Sequence, residues 1–258
     1  MNLIHVLILS AVEGITEFLP ISSTGHLILV SRILNLESSD FLKTFQIVIQ
    51  LGAIIAVVVL YSKKLLTGGA LIKKLAVAFI PTAIVGFTLY PLIKGALLGS
   101  SSITLNALFW GGVAIIFIEK FLKNPKSEIR NPKSNELTYK QALVIGTFQS
   151  LSVIPGVSRA AATIVGGLLT GLDREKATEF SFLLAIPTMF AATTLDIYRS
   201  RQMIAQGGFL TLFMGSVLAF FFATLAVKFL IVYIKKHDFT VFGIYRIVLA
   251  ILFWIFAK

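Results

Sequence analysis

The chain has 258 residues, 57% of them apolar and only 14% charged, with a formal net charge of +11 and no cysteine. Soluble domains carry roughly 45–50% apolar and about 25% charged residues, so a mean hydropathy of +0.90 excludes a water-soluble fold, which would leave greasy surface everywhere. Disulfides, thiolate chemistry and cysteine-bound metals are excluded too, and Lys and Arg set in short loops between apolar runs follow positive-inside topology rather than a nucleic-acid stripe.

The first apolar stretch, residues 3–36, lacks a basic leading segment and is interrupted by Glu13, Glu17, Pro20 and the run Ser22-Ser23-Thr24-Gly25-His26. It reads as a retained, broken helix and not as a cleaved signal. Spanning helices are expected over 44–61, 76–94 and 103–118. With flanking residues these can cross about 30 Å of hydrocarbon at about 1.5 Å per residue. Residues 119–139, with Asn124-Pro125 and Asn131-Pro132, read as a polar linker. A second broken stretch, 140–171, is interrupted by Gln149, Ser150, Ser152 and Pro155-Gly156, and its piece 141–154 is too short to span easily. Three more spans are expected over 180–197, 209–234 and 239–257.

The two broken stretches resemble each other. Sliding the sequence by 135 residues lays Pro20 on Pro155, Ser23 on Ser158, Val30 on Val165 and Phe45 on Phe180. An odd number of spans separates them, so the second copy is expected upside down relative to the first, an inverted-topology repeat with a site near the midplane. The expected fold is one all-α, polytopic integral membrane bundle over residues 1–258. Repeat one covers about 1–118 and repeat two about 140–258, giving about six transmembrane helices and two re-entrant helical hairpins. Loops 62–75, 119–140 and 235–238 hold 4, 6 and 2 Lys/Arg, whereas 95–102 holds none. The three basic loops are therefore expected in the cytoplasm, with Arg199 and Arg201 as exceptions on the other side.

Chemistry concentrates at the breaks. Glu13 and Glu17 share a helix face at i,i+4, where ionised carboxylates repel and are costly in lipid. A divalent cation, an Arg or shared protons would offset them, and carboxylate oxygens suit Mg²⁺ or Ca²⁺ better than zinc. Pro20 ends the first helix, and Ser22 or Ser23 can cap the next. His26, one turn on, makes a plausible base for a hydroxyl nucleophile there. In the second copy Pro155-Gly156 precedes Ser158, Arg159 and Thr163. Two capped half-helices aimed at one point would bind an anion, and the Arg159 fork fits phosphate oxygens. Arg246, inside the last span, is expected either to bond within the bundle or to support this site.

The stretch from Glu13-Gly14-Ile15-Thr16-Glu17 to Ser23-Thr24-Gly25-His26 resembles the glutamate-rich signature of the undecaprenyl-diphosphatase, or bacitracin-resistance, family. Pro155-Gly156-Val157-Ser158-Arg159 with Thr163 is similar to that family's second signature, and Ile49-Gln50-Leu51-Gly52-Ala53 and Tyr245-Arg246-Ile247 also fit. Gln46 departs from it, standing where an acidic residue is more usual. The resemblance implies a bacterial inner-membrane phosphatase that converts undecaprenyl diphosphate to the monophosphate carrier of cell-wall synthesis. It implies a Mg²⁺ or Ca²⁺ requirement and an active site on the extracytoplasmic side. Ser23 would be the nucleophile, with His26 as base or as a rival nucleophile. Glu13 and Glu17 would hold the cation or relay protons, and Arg159 would clamp the diphosphate. Ser22, Thr24, Gln50, Ser158 and Thr163 would contact substrate. Membrane lipid is the expected surrounding, nucleic acid is not a partner, and a homodimer is left open. The alternative is an inverted-repeat transporter for a lipid phosphate or other anion.

Overall fold

The computed structural model describes residues 1–37, 39–89, 100–123, 137–203 and 208–256, without the side chains of 195, 196, 199, 200, 202, 203 and 256. The end of the expected 76–94 span (90–94), the expected loop at 95–99, most of the linker (124–136), the Arg199 side chain and the last residue of the 239–257 span lie outside these. Helix α1, Leu3–Thr16, starts at Asn2, whose side chain accepts the His5 N–H at 2.9 Å. α2 is Ser23–Ile33. α3, Asp40–Leu60, starts where the Ser39 hydroxyl accepts the Leu42 N–H at 3.1 Å. α4 is Ser62–Thr67, α5 Gly69–Thr88 and α6 Ser101–Lys123. α7, Tyr139–Ser150, opens on a Thr138/Gln141 capping box and runs into a 3-10 turn at Leu151–Val153. α8 is Arg159–Leu169, α9 Arg174–Met203, α10 Phe209–Ile234 and α11 Thr240–Phe256.

Four of these are long and apolar enough to cross a membrane: α3, α5, α6 up to Leu122, and α10. Their outward residues, such as Phe87, Trp110, Phe213, Phe221 and Phe229, are exposed, as acyl chains would solvate them. The chain is therefore an all-α, membrane-spanning, multi-pass bundle. The expected spans over 180–197 and 239–257 fall within α9 and α11. α9 opens on the charged run Arg174-Glu175-Lys176, and α11 is only 17 residues long. Both broken stretches are pairs of short helices. α1 has 14 residues, α7 has 12, and α2 and α8 have 11 each, or about 16–21 Å at about 1.5 Å per residue.

Each short pair leans on the other half of the chain. α1 packs on α10, with α2 and α3 beside it, while α7 packs on α5 and α8. α9 lies against α3 and α8, and α11 against α6. Small residues let these backbones approach. A Cβ on Gly52 of α3 would stand 2.0 Å from the Ser216 carbonyl oxygen of α10, so the helices must separate to admit one. Gly52→Ala is expected to cost about 1–3 kcal/mol through overpacking, read as a lowered Tm of the purified protein; an unchanged Tm would show the crossing to be loose.

Charged groups gather at one end of the bundle. Arg174 makes a two-pronged pair with the buried Glu119 carboxylate, at 3.1 and 2.5 Å, and Glu119 also accepts the Phe239 N–H at 3.1 Å. Lys64 pairs with Glu179 at 2.6 Å and Lys235 with Glu175 at 3.6 Å. These contacts clamp α4 and the ends of α6 and α10 onto the start of α9.

Candidate active site

The breaks between α1 and α2 and between α7 and α8 have one construction. Ser22 caps α2 with φ 73° and its hydroxyl accepts the Gly25 N–H at 3.3 Å; Ser158 caps α8 with φ 71° and accepts the Ala161 N–H at 3.1 Å. Positive φ at a residue with a Cβ costs about 1–3 kcal/mol and persists where the surroundings enforce it. This sets the half-helix register at 136 residues, since Ser23–Ile33 matches Arg159–Leu169 end for end. The expected overlay of Ser23 on Ser158 is thus off by one here: Ser22 takes the cap that Ser158 takes. Ser23 and Arg159 become the equivalent first residues of the two half-helices, and with the caps occupied by others both side chains are free for chemistry.

Both meet Glu17. The Ser23 hydroxyl donates to Glu17 Oε2 in a very short bond, and Arg159 Nη2 donates to Oε1 at 2.8 Å. One carboxylate from the end of α1 therefore joins the two half-helices, with Glu17 and Arg159 side chains only 7% and 9% exposed. Arg159 is held further by the Ser181 carbonyl at 2.9 Å and by the Phe18 ring, whose centroid lies 5.6 Å from the guanidinium carbon. Its Nε–H has no acceptor among the described residues, which leaves a buried donor for a ligand.

A cavity of about 160 Å³ opens at this junction. Of the expected residues, Glu17, Ser22, Ser23, Thr24, Gln50, Ser158 and Arg159 line it. Glu13, His26 and Thr163 are not among its lining residues. Thr163 donates to the Arg159 carbonyl at 2.9 Å and meets the Ser181 hydroxyl at 2.6 Å, bracing the turn that carries Arg159. Gln46, the departure from the family pattern, donates to Ser31 at 3.0 Å and does not reach the cavity. Ser152, Thr188 and Met189 also line the cavity. Ser152 is legible in the sequence only as part of the break, and Thr188 and Met189 sit in apolar sequence, where no motif marks them.

His26 is engaged elsewhere than at Ser23. Its Nδ1 lies 2.8 Å from the Ser22 carbonyl and its Nε2 2.7 Å from the Tyr245 hydroxyl. A carbonyl oxygen only accepts, so Nδ1 carries the proton and Nε2 of the neutral ring accepts from Tyr245. The imidazole thus ties α11 to the positive-φ turn at Ser22.

Glu13 is fully buried next to Glu17, and neither of its carboxylate oxygens has a donor among the described residues; the Ser10 hydroxyl one turn back is equally unpartnered. Arg159 offsets a single negative charge, so the second carboxylate calls for a proton or a cation. Among the described residues no cluster of three His, Cys, Asp or Glu forms a closed metal cage. A pair of carboxylates plus substrate phosphates is nonetheless the usual donor set for Mg²⁺, and the buried, unpartnered Glu13 oxygens fit it.

Comparison with known proteins agrees over nearly the whole chain. The family described as bacitracin resistance protein BacA matches residues 6–252. An undecaprenyl-diphosphatase of Persephonella marina is 51% identical over 256 residues, covering 99% of both chains. One from Sulfurihydrogenibium is 49% identical over 255 residues, again 99% of both. That of Wolinella succinogenes is 49% identical and covers 98% of this chain and 97% of its own.

Proposed function

The chain belongs to the BacA bacitracin-resistance family, and from that premise we propose how its buried site works on a diphosphate lipid. The activity is that of its relatives: a hydrolase of the bacterial inner membrane that converts undecaprenyl diphosphate to undecaprenyl phosphate and phosphate. The product returns as the lipid carrier of cell-wall synthesis.

The observation that carries the mechanism is Glu17 bonded to Ser23 on one side and to Arg159 on the other. Glu17 takes the Ser23 proton as Oγ attacks the terminal phosphorus. The bond from that phosphorus to the bridging oxygen breaks, and undecaprenyl phosphate leaves with the proton passed on by Glu17. Glu17 then activates a water that hydrolyses the phosphoserine, and it returns a proton to Ser23 as phosphate departs. Arg159 and the N–H groups in the first turns of α2 and α8 bind the charge that spreads over the phosphoryl oxygens. Glu13, whose oxygens are unpartnered, would hold a divalent cation with Glu17 beside it, and the cation would offset charge on the diphosphate. His26 acts through Ser22 and keeps the strained turn that presents Ser23.

The same reading extends to topology. Val6, Leu9 and Leu27 of α1 and α2 pack on Leu42, Phe45 and Val48 in the first half of α3, whereas the outer ends of α7 and α8 meet shortly before α9, where Gln141 donates to the Thr170 carbonyl at 3.0 Å, and the start of α9 pairs with Lys64, just past the other end of α3. This supports two re-entrant hairpins inserted from opposite faces, with α3, α5, α6, α9, α10 and α11 as six spans and residues 124–136 within the linker between repeats. Lys63, Lys64, Lys235 and Lys236 gather at one end, which favours the cytoplasm for that end by the positive-inside rule, and in this reading the site opens to the opposite, extracytoplasmic side.

Purified protein is expected to release phosphate from a short polyprenyl diphosphate with Mg²⁺ or Ca²⁺ and to stop when chelator is added. Glu13→Gln should raise the cation concentration for half-maximal rate by about tenfold or more. An identical cation titration would remove the cation from Glu13 and leave it a shared proton.

A further inference from the structure

Arg246 lies in the middle of α11, and its side chain is completely buried. A guanidinium has five N–H donors, and every one is used. Nε donates to the Leu108 carbonyl at 3.2 Å and Nη2 to Ala107 at 3.0 Å, both in α6. Nη1 donates to Pro20 at 3.2 Å and to Val157 at 3.0 Å, while Nη2 also donates to Gly156 at 3.0 Å. Among the described residues no carboxylate pairs with it. A buried cation without a counter-ion is expensive, so carbonyl dipoles alone offset it here. A Cβ on Gly111 of α6 would stand 2.1 Å from Nη2. That glycine is the slot that admits the guanidinium.

Three of the five acceptors are the carbonyls of the two chain breaks. Pro20 lies two residues before the Ser22 cap, and Gly156 and Val157 directly precede Ser158. Helical N–H groups do not serve these carbonyls, because the chain turns there. One planar fork therefore spans both breaks and fixes how far apart the half-helix N-termini stand. Ser23 and Arg159 are one residue beyond their caps and must both reach Glu17. We propose that Arg246 is a positioning residue for the hydrolysis, setting the approach of Ser23 to Arg159 by tying the two breaks together.

The proposal rests on the site reading above, and the test separates the two. Lysine keeps the charge but cannot form the fork. Arg246→Lys is expected to lower kcat by about 10²-fold, the scale of a misplacement near 1 Å, with KM within about threefold. Gly111→Ala should do the same from outside the site by displacing the guanidinium. The chain has no native cysteine, so nitroxides at Ile33→Cys and Thr170→Cys report the spacing of α2 and α8. Their distance distribution should broaden in both variants. Full kcat in Arg246→Lys would overturn the proposal, and so would a lost kcat with the parental distribution, which would assign Arg246 to charge alone. If Arg246→Lys does not fold, Gly111→Ala decides by the same two readings. An active Ser23→Ala would sink the site reading, while the spin-label distances still judge Arg246.

Discussion

Ser23→Ala is expected to lower kcat for phosphate release by at least about 10³-fold, since removing a nucleophile leaves only binding and charge stabilisation. The fold should survive. Among the described residues the Ser23 side chain bonds only Glu17, and leaving that carboxylate one donor short costs about 1–3 kcal/mol. The Ser22 cap of α2 is untouched by the change. Affinity for the diphosphate should persist, because Arg159 and the half-helix N–H groups remain. His26→Gln supplies the contrast. It disturbs the Ser22 turn from behind, so activity should fall less and some turnover should remain. If Ser23→Ala turns over normally while His26→Gln is dead, the imidazole is the attacking group and the roles must be exchanged.

Glu17→Gln should be nearly as damaging, for two reasons that can be measured apart. The amide keeps the shape but cannot take the Ser23 proton, a loss of about 10²–10⁴-fold in rate. It also leaves Arg159 without its ion-pair partner, and breaking a buried pair costs about 3–5 kcal/mol, which a lowered Tm would register. A variant that keeps its rate would show that another group serves as base.

Much of this arrangement is legible in the sequence because membrane physics leaves few choices. Charged residues inside apolar runs mark Glu13, Glu17 and Arg159, and Pro20 and Pro155 mark the breaks. What escapes is finer. Two adjacent serines make the cap at α2 ambiguous, and only the backbone at Ser22, φ 73°, shows which one is spent on capping and which is free. Helical spacing brings His26 close to Ser23, yet the ring folds onto the carbonyl of its own first turn and reaches across to Tyr245. Ser181, Thr188 and Met189 lie in an apolar span whose pattern signals burial and nothing more. Arg246 stands out as a charge in a greasy helix, but its acceptors are backbone carbonyls, which no residue pattern encodes.

The central claim is that Ser23, held by Glu17 against Arg159, becomes phosphorylated during turnover. Acid quenching of the purified enzyme shortly after mixing with polyprenyl diphosphate, followed by peptide mass spectrometry, tests it directly. A phosphate on Ser23 that appears with substrate and decays on its exhaustion is the result expected. Steady turnover with Ser23 unmodified, or a phosphate carried on His26 instead, would contradict it.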